Sequence, residues 1–486
     1  MAMKRILFGE WLPDQPDTTG QETLNLDAAL NVYSSTTGYA PFPRASIISS
    51  GTEDGEDINQ LFLAKKNELI LAFAGTSENI FLYNNLVARA ATSKEVSRVG
   101  GYDNPAVAWD FAQFGDAILA TNGTDKIQRY VIGDSDKPTF EDIEQAPICN
   151  TIAIVRDFVF AGYCDENSQK VQWSDLNNEN VWDSSDTNQA DFQILPSGGA
   201  VKAVTGGEFG LVIQEKAVQR ASYIGTPFVF QFDLISDNTG CISGASAIQY
   251  NGISYWLSES GMVACDGTKV SNIGEGKIND WLFKEIDKTQ IEDVSVAIDP
   301  LKNLIVWNFP TSSEDRILLK YNYETGRFAT GKTLAQVVAG LMTQSASLDS
   351  LDVEYPILDD MPISLDSGLL IGGQFSFCGA EDKHIVAFSL LPETCYMTTN
   401  DMEFDGFSVA TVAMPIIENG SAEFQIASRN SLNDNLLFSN NSVTSPENRA
   451  DLRSGGKYHR VRIHPTGVKW TNAVGFDLAV TTQGSR

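Results

Sequence analysis

The stretch Ala117-Ile-Leu-Ala-Thr121, closed by Asn122-Gly123, carries the pattern that decides the fold: a short apolar run followed by turn residues. Similar runs recur along the chain at residues 69–73, 117–121, 157–163, 210–215, 254–259 and 303–309. Their first residues lie 48, 40, 53, 44 and 49 residues apart. A quasi-period of about 40–50 residues is typical of four-stranded propeller blades. Residues 383–389 are interpreted as one more copy of the run.

Within these units a further strand is predicted after a short turn, at residues 78–83, 126–132 and 316–323. One four-stranded sheet cannot bury both of its faces, so similar sheets pack around an axis and cover each other. Tryptophans occur once or twice per unit, which fits packing between blades. The sequence therefore predicts an all-β protein with a β-propeller of six or seven blades. Two β-sandwiches remain the rival arrangement.

Three segments fall outside the repeat. They are an extended N-terminal arm (1–45), an acidic loop insertion (333–382) within a propeller of residues 46–400, and a small C-terminal β domain (401–486). The arm is proline-rich, the insertion contains no Lys or Arg, and the C-terminal segment is polar and nearly neutral. Helical periodicity is scarce, and the best helix candidates are residues 24–32 and 278–286.

The net charge narrows the possible partners. The 486 residues include 34 basic and 63 acidic side chains, giving −29. Residues 1–45 contribute −2 and residues 401–486 contribute −1, so −26 falls on residues 46–400. A protein that grips nucleic acid neutralises phosphates with Lys and Arg, so a general nucleic-acid clamp is excluded. The acidic balance fits either solubility or a surface that DNA passes without sticking.

Residues for catalysis or metal binding are scarce. The chain has three histidines, and its six cysteines form no C-x-x-C pair, so we expect buried free thiols. No phosphate-binding loop, nucleophile elbow or zinc motif occurs. We therefore predict no catalytic, cofactor-binding or metal residues, and not an enzyme. The start of the chain has no signal-peptide pattern and no apolar run nears the ~18 residues of a membrane span, so cytoplasmic synthesis is expected.

The acidic insertion supplies the first candidate site. Its six candidate residues, predicted to face a lumen or a partner, are Asp349, Asp352, Glu354, Asp359, Asp360 and Asp366. Long loops often carry function, but a solvated loop with no partner explains the same composition.

The second candidate is Lys457-Tyr-His-Arg-Val-Arg-Ile-His464, a basic stretch in an acidic chain. Strand alternation places Tyr458, Arg460 and Arg462 on one face, where they form a candidate docking face for an acidic neighbour such as another copy of the chain. The alternative is a half-buried strand whose polar face is solvated.

Several of these stretches together resemble a known family. They include Glu10-Trp-Leu-Pro-Asp14, Gly38-Tyr-Ala-Pro-Phe-Pro43, Tyr321-Asn-Tyr-Glu-Thr-Gly-Arg327, and the repeated Leu348-Asp-Ser350 and Leu365-Asp-Ser367. In order and spacing they resemble the β-propeller tail hub, or nozzle, of tailed bacteriophages, which is related to the packaged-DNA stabilisation proteins of short-tailed phages. The resemblance covers about the first four-fifths of the chain. Arg44 departs from it, because the family more often has Gly there.

The resemblance implies a structural virion protein with no cofactor. It implies a ring of identical subunits, six in number, that lines the genome exit channel, helps retain and then eject DNA, and connects the portal-adaptor protein to a tail needle or plug, fibres or tailspikes. Double-stranded DNA would pass through without tight binding. The protein would be assembled in the host bacterial cytoplasm and reside in the virion tail. Two other classes stay open: a propeller adhesin or receptor-binding protein that recognises surface glycan, and a hydrolase or lyase on a propeller scaffold.

Overall fold

A computed structural model describes residues 2–16, 24–67, 69–83, 93–103, 105, 107–342, 375–392, 394–467 and 469–482. Nearly all regular structure in these residues is β-strand. The exceptions are helix α1 (Asn279–Glu285) and two 3₁₀ turns (Gly244–Ser246 and Lys288–Asp293). Helix α1 confirms the helix predicted at 278–286.

The first strands of the chain belong to two different sheets. They are β1 (Ala2–Trp11), β2 (Leu24–Leu30), β3 (Val32–Ser34), β4 (Tyr39–Pro41) and β5 (Arg44–Ile47). The helix predicted at residues 24–32 is wrong, because β2 pairs with strands on both sides. Asp14, after β1, caps α1: its carboxylate accepts hydrogen bonds from the Asp280 and Trp281 amides at 2.9 and 2.8 Å.

Five four-stranded antiparallel sheets follow as blades 1 to 5. Blade 1 contains β6 (Gln60–Lys66), β7 (Leu69–Gly75), β8 (Ile80–Tyr83) and β9 (Ser93–Glu95). Blade 2 contains β10 (Asp110–Phe114), β11 (Ala117–Thr121), β12 (Gln128–Val131) and β13 (Glu141–Asp142). Blade 3 contains β14 (Cys149–Val155), β15 (Phe158–Cys164), β16 (Asn167–Trp173) and β17 (Asp191–Ile194). Blade 4 contains β18 (Val201–Thr205), β19 (Gly210–Gln214), β20 (Val218–Gly225) and β21 (Val229–Ser236). Blade 5 contains β22 (Ile248–Tyr250), β23 (Ile253–Ser258), β24 (Gly261–Cys265) and β25 (Val270–Asn272).

Two further four-stranded units complete the circle. The merged blade contains β26 (Ser295–Asp299), β27 (Leu304–Phe309), β28 (Arg316–Asn322) and β29 (Arg327–Thr333), and it continues into a 14-stranded sheet. The closing blade contains β30 (Val337–Met342), β31 (Phe375–Glu381), β32 (His384–Leu390) and the N-terminal strand β5. The circle closes because β30 packs between β26 and β6. The described residues thus form a β-propeller with six separate blade sheets and one merged unit, which confirms the predicted fold class.

The repeated apolar runs are the second strands of successive units: β7, β11, β15, β19, β23 and β27. These strands lie inside their sheets with neighbours on both faces, and every residue of β11, β19 and β27 is buried. This explains why they are apolar throughout rather than alternating. The predicted copy at 383–389 is wrong in position, because β32 is the third strand of its blade and β31 is the second.

The C-terminal strands are β33 (Tyr396–Thr399), β34 (Met402–Glu418), β35 (Ser421–Arg429), β36 (Ser442–Val443), β37 (Ala450–Thr466) and β38 (Asn472–Thr482). Strand pairing runs in a closed circuit from β1 through β2, β33, β37, β34 and β38 back to β1. We call this circuit, with β35 and β36 at its side, the C-terminal sheet. It contains the N-terminal strands β1 and β2, and β2 also pairs with β29 of the merged blade at Leu30–Thr330.

These pairings correct the predicted segment boundaries. The described residues of the arm 1–45 are built into the C-terminal sheet and the closing blade, and the boundary at residue 45 cuts through β5. Residues 401–482 do not form a separate domain, because they share one sheet and one apolar core with the N-terminus and the merged blade. That core includes Trp11, Trp307, Phe424 and Phe476. The insertion 333–382 begins and ends in blade strands, so only the segment between β30 and β31 is inserted.

Candidate functional site

The predicted docking strand is β37, and it places its three candidate residues in different environments. Tyr458 and Arg462 are half-buried, whereas Arg460 is only 4% exposed. The Arg460 guanidinium lies 3.3 Å from Asp401 Oδ1 and 3.1 Å from Asp27 Oδ2. The prediction of a docking face is therefore wrong for Arg460, whose charge is used inside the chain. For Tyr458 and Arg462 it stays a prediction.

A buried charged cluster forms around Asp401, which lies between β33 and β34. Its carboxylate is fully buried and binds two guanidiniums, those of Arg460 and Arg429. The Arg429 side chain also donates to the Leu432 carbonyl at 2.6 Å. The Asp401 carboxylate joins β35 and β37, and the Asp27 carboxylate links β37 to β2 through Arg460. Removing one partner from such a buried group leaves an uncompensated charge, so the cluster is a structural element of the C-terminal sheet.

His459 sits beside this cluster and faces the opposite side of β37. The Ser408 and Ser428 hydroxyl oxygens lie 2.8 and 2.7 Å from its Nε2 and Nδ1. A neutral imidazole donates through one nitrogen and accepts through the other, so this pair of hydroxyls fits the neutral form. Burial lowers the pKa of His459 below its usual value of 6.5. The side chain is enclosed between the two serines and is fully buried.

Arg462 keeps its charge near the surface. Its guanidinium lies 4.6 Å from the Tyr396 ring centroid and 4.4 Å from that of Phe438, and its Nε donates to Thr398 Oγ1 at 3.0 Å. The loop that carries Phe438 also exposes Leu437, which is 81% accessible. Contacts with two rings and a hydroxyl hold the guanidinium of this half-buried side chain in place.

The six acidic candidates, Asp349, Asp352, Glu354, Asp359, Asp360 and Asp366, lie outside the described residues. The flanking strands fix where the chain leaves and returns. Strand β30 ends at Met342 and β31 begins at Phe375, and β30 is the first strand of the closing blade. Strand β30 packs against β26 and β6, the first strands of the two neighbouring blades.

An exposed acidic connector was missed by sequence reasoning. Glu53, Asp54, Glu56 and Asp57 lie between β5 and β6, and all four are exposed. The Asp54 carboxylate accepts hydrogen bonds from Thr76 Oγ1 at 3.0 Å and Asn79 Nδ2 at 3.1 Å, which fixes the connector against blade 1. Four carboxylates within five residues were the available signal. The general acidity of residues 46–400 concealed it.

Polar side chains join the first strands of neighbouring blades. Gln113 on β10 donates to the Lys65 carbonyl at 2.7 Å and accepts from the Lys65 amide at 3.0 Å. The Asp110 carboxylate accepts from the Ile152 amide and the Thr151 hydroxyl, both at 2.9 Å. Burial raises the pKa of Asp110 to about 6, and these two hydrogen bonds oppose that shift. The bonds tie β6, β10 and β14 into one rigid inner wall.

A cleft of about 470 Å³ opens between blades 2 and 3. It is lined by Gln113, Asp116, Arg129, Arg156, Asp157, Asn177 and Glu179, among others. Arg129 and Glu179 form an ion pair across it at 2.7 Å. The lining offers amides and carboxylates together with one aromatic ring, that of Phe114.

Within the described residues, no three His, Cys, Asp or Glu side chains are placed to hold a metal ion. No helix in the described part of the chain is long and apolar enough to cross a membrane.

Comparisons with known proteins return structural neighbours only. No family model and no curated protein matches the chain. Among solved structures, the chain is similar to the WD40 domain of Neurospora crassa Pan2, with 8% identity and a TM-score of 0.39 over 71% of this chain and 94% of that one. It is also similar to the computationally designed protein Ika8, with 11% identity and a TM-score of 0.32 over 71% of this chain and 99% of that one.

Proposed function

We propose that the chain is a structural virion protein of a tailed phage, a tail hub or nozzle ring that lines the genome exit channel. The observation that carries the proposal is the ordered set of segments from Glu10-Trp-Leu-Pro-Asp14 to Tyr321-Asn-Tyr-Glu-Thr-Gly-Arg327, which resembles that family. The propeller is compatible with this role, because a rigid block with loops at both ends suits head-to-tail contacts that close into a ring. The ring holds six copies and binds the portal-adaptor above and a plug, fibres or tailspikes below.

Charge supports passage of DNA without capture. The net charge of −29 repels phosphates, and the exposed carboxylates of the connector at residues 53–57 concentrate that charge at one place on the propeller. Two lysines on the first strands pair with carboxylates of the chain: Lys66 with Asp116 at 2.9 Å and Lys202 with Glu292 at 3.0 Å. A duplex that meets few unpaired cations keeps its counterions and does not stick.

The first test is the assembly state. We expect the purified chain, mixed with its portal-adaptor protein, to give six-fold rings in negative-stain images and a hexamer by mass photometry. We expect it not to retain a labelled DNA duplex at low salt. A chain that stays monomeric with the adaptor present and shows enzymatic turnover overturns the proposal.

Charge reversal gives a sharper test of the DNA argument. The variant E53K/D57K reverses two exposed carboxylates of the acidic connector, and D183K/D186K reverses two exposed carboxylates between β16 and β17. We expect phage assembled with E53K/D57K to eject DNA more slowly at low salt, whereas D183K/D186K matches the unmodified particle. Equal slowing by both variants would show that net charge alone matters.

A second candidate, a propeller adhesin that binds surface glycan, is favoured by the cleft between blades 2 and 3. Its amides and carboxylates, such as Gln113, Asn177 and Asp157, are groups that bond sugar hydroxyls, and Phe114 offers a ring face. A glycan array decides between the candidates: saturable binding by a monomer, lost in Asn177→Ala, favours the adhesin over the ring.

A further inference from the structure

Two buried cysteines face each other in blade 3. Cys149 is the first residue of β14 and Cys164 is the last of β15, and both side chains are fully buried. Antiparallel pairing aligns the two Cα atoms as partners. The six cysteines of the chain are all free and buried, and within the strand pairings these two are the ones aligned with each other.

A hydrogen bond next to the two cysteines shows which kind of antiparallel residue pair they form. The Asp165 amide donates to the Ile148 carbonyl at 2.8 Å, one position outside the two cysteines. Hydrogen-bonded and non-hydrogen-bonded pairs alternate along an antiparallel ladder, so Cys149 and Cys164 form a non-hydrogen-bonded pair. In such pairs the Cα atoms are about 4.5 Å apart and the side chains lie on the same face. A disulfide needs Cα atoms about 4.4–6.8 Å apart, a range that includes the usual spacing of a non-hydrogen-bonded pair.

We propose that Cys149 and Cys164 are a modification site that forms a cross-strand disulfide by exchange with a small-molecule disulfide such as oxidised glutathione. One cysteine thiolate attacks the glutathione disulfide, forms a mixed disulfide and releases one glutathione thiolate. The second cysteine thiolate then attacks the protein sulfur of the mixed disulfide, forms the Cys149–Cys164 bond and releases the second glutathione. Two electrons pass from the cysteine sulfurs to glutathione, and the two thiol protons go to the released thiolates. This proposal does not depend on the proposed function.

The folded protein controls when the exchange begins. Burial raises the pKa of the Cys149 thiol to about 12 and that of Cys164 well above its ordinary value, so few thiolates form in the closed state. The pair lies at the open end of the hairpin, next to Ile148, which is 38% exposed. Fraying of this strand end, or folding of the chain, brings the thiols to the oxidant. Once formed, the bond holds the two ends of the hairpin together.

The test is to refold the reduced, unfolded chain in a glutathione redox buffer, isolate the folded protein, unfold it in urea that contains N-ethylmaleimide to block free thiols, and map peptides without reduction. We expect a Cys149–Cys164 linked peptide lighter by two hydrogen atoms, with the other four cysteines alkylated. We also expect slower amide exchange in β14 and β15. Cys378→Ser is the matched control, because Cys378 is buried and its strand partner is Ala387, and this variant keeps the link.

Three results would overturn the proposal: six alkylated cysteines in the folded protein, glutathione left on Cys149 or Cys164 without the link, or a link between other cysteines. Cys149→Ser is expected to lose the link while Cys164 becomes alkylated. If that variant does not fold, the peptide map of the unmodified chain decides alone.

Discussion

The propeller and the C-terminal sheet bury polar groups in different ways. In the propeller, buried tryptophans pack in the apolar cores and donate their indole N–H to a nearby carbonyl. Trp109, Trp256 and Trp307 donate to the carbonyls of Thr76, Gly240 and Ser246, each at 2.9 Å. These neutral bonds cost little to bury, since both partners are paired and uncharged.

The C-terminal sheet adds a buried cluster of opposite charges. Asp401, Arg429 and Arg460 lie inside it, with His459 enclosed beside them. The propeller also buries charged side chains, such as Asp299, which pairs with Lys302, but in the C-terminal sheet one buried carboxylate binds guanidiniums from two strands. We therefore expect the C-terminal sheet to depend more strongly on its ionic contacts. Replacing an apolar group should therefore matter most in the first region, and unpairing one charge should matter most in the second.

The largest effect is expected for Trp307→Ala. Trp307 is fully buried in the core that the merged blade shares with the C-terminal sheet. Loss of the ring creates a cavity and removes the bond to Ser246, so the free energy of unfolding should fall by about 3–5 kcal/mol. Urea unfolding followed by tryptophan fluorescence measures it. If Trp307→Ala lowers the free energy of unfolding by less than Asp401→Asn does, apolar burial is not the larger contribution.

Asp401→Asn is expected to lower the free energy of unfolding by about 3 kcal/mol, because Arg429 and Arg460 lose the buried negative charge that they share. Asp451→Asn is the matched control: Asp451 pairs with Arg449 at 2.9 Å, but its side chain is 79% exposed. A surface pair contributes about 0–1 kcal/mol, so the control should stay near the unmodified protein. Hydrogen exchange should locate the Asp401→Asn effect in β34, β35 and β37. Equal effects from the two variants would contradict the ionic account.

The sequence could predict the elements that have a local pattern, but not those that depend on distant strands. The second strand of each unit lies between two sheets and inside its own, so it is apolar throughout and repeats visibly. Helix α1 was predictable because its apolar residues follow a helical period and a turn precedes it. Blade closure by β5 was not predictable, since four residues near the N-terminus pair with a strand more than 300 residues away.

The candidate sites were harder to predict for a physical reason. Alternation correctly separates Arg460 from Val461 on β37, but it says nothing of what covers each face. Asp401 covers Arg460 from 59 residues earlier in the chain. Similarly, a helix and a strand fit the sequence Leu24-Asn-Leu-Asp-Ala-Ala-Leu30 equally well. The segment is a strand because it pairs with β33. Long-range pairing leaves no local signal in one sequence.

The two regions should also differ in how their stability depends on pH. In the propeller the group concerned is Asp110. Burial raises the pKa of Asp110 to about 6 from 3.8, so the folded state binds the proton more tightly than the unfolded chain. Stability from this group is present below pH 4 and is lost as pH rises towards 6. Asp110→Asn removes that loss while its amide oxygen still accepts from Ile152, so we expect a gain of about 3 kcal/mol at pH 7 and less than about 1 kcal/mol at pH 4. Urea midpoints across this range test it, with exposed Asp116→Asn as the control.

In the C-terminal sheet the pH dependence should have the opposite direction. Burial lowers the pKa of His459 below 6.5, so the folded state resists the proton that the unfolded chain accepts. Its contribution is complete above pH 6.5 and is lost as pH falls below that value. His459→Gln keeps hydrogen-bonding groups towards Ser408 and cannot titrate, so it should change stability at pH 7.5 by only about 1 kcal/mol and remove the extra acid sensitivity of β34 and β37. Hydrogen exchange at pH 5 and pH 7.5 measures this, with His384→Gln in the closing blade as the control. If His459→Gln leaves the acid sensitivity of β37 unchanged, its titration is not what separates the two regions, and the buried charges around Asp401 must carry the whole difference.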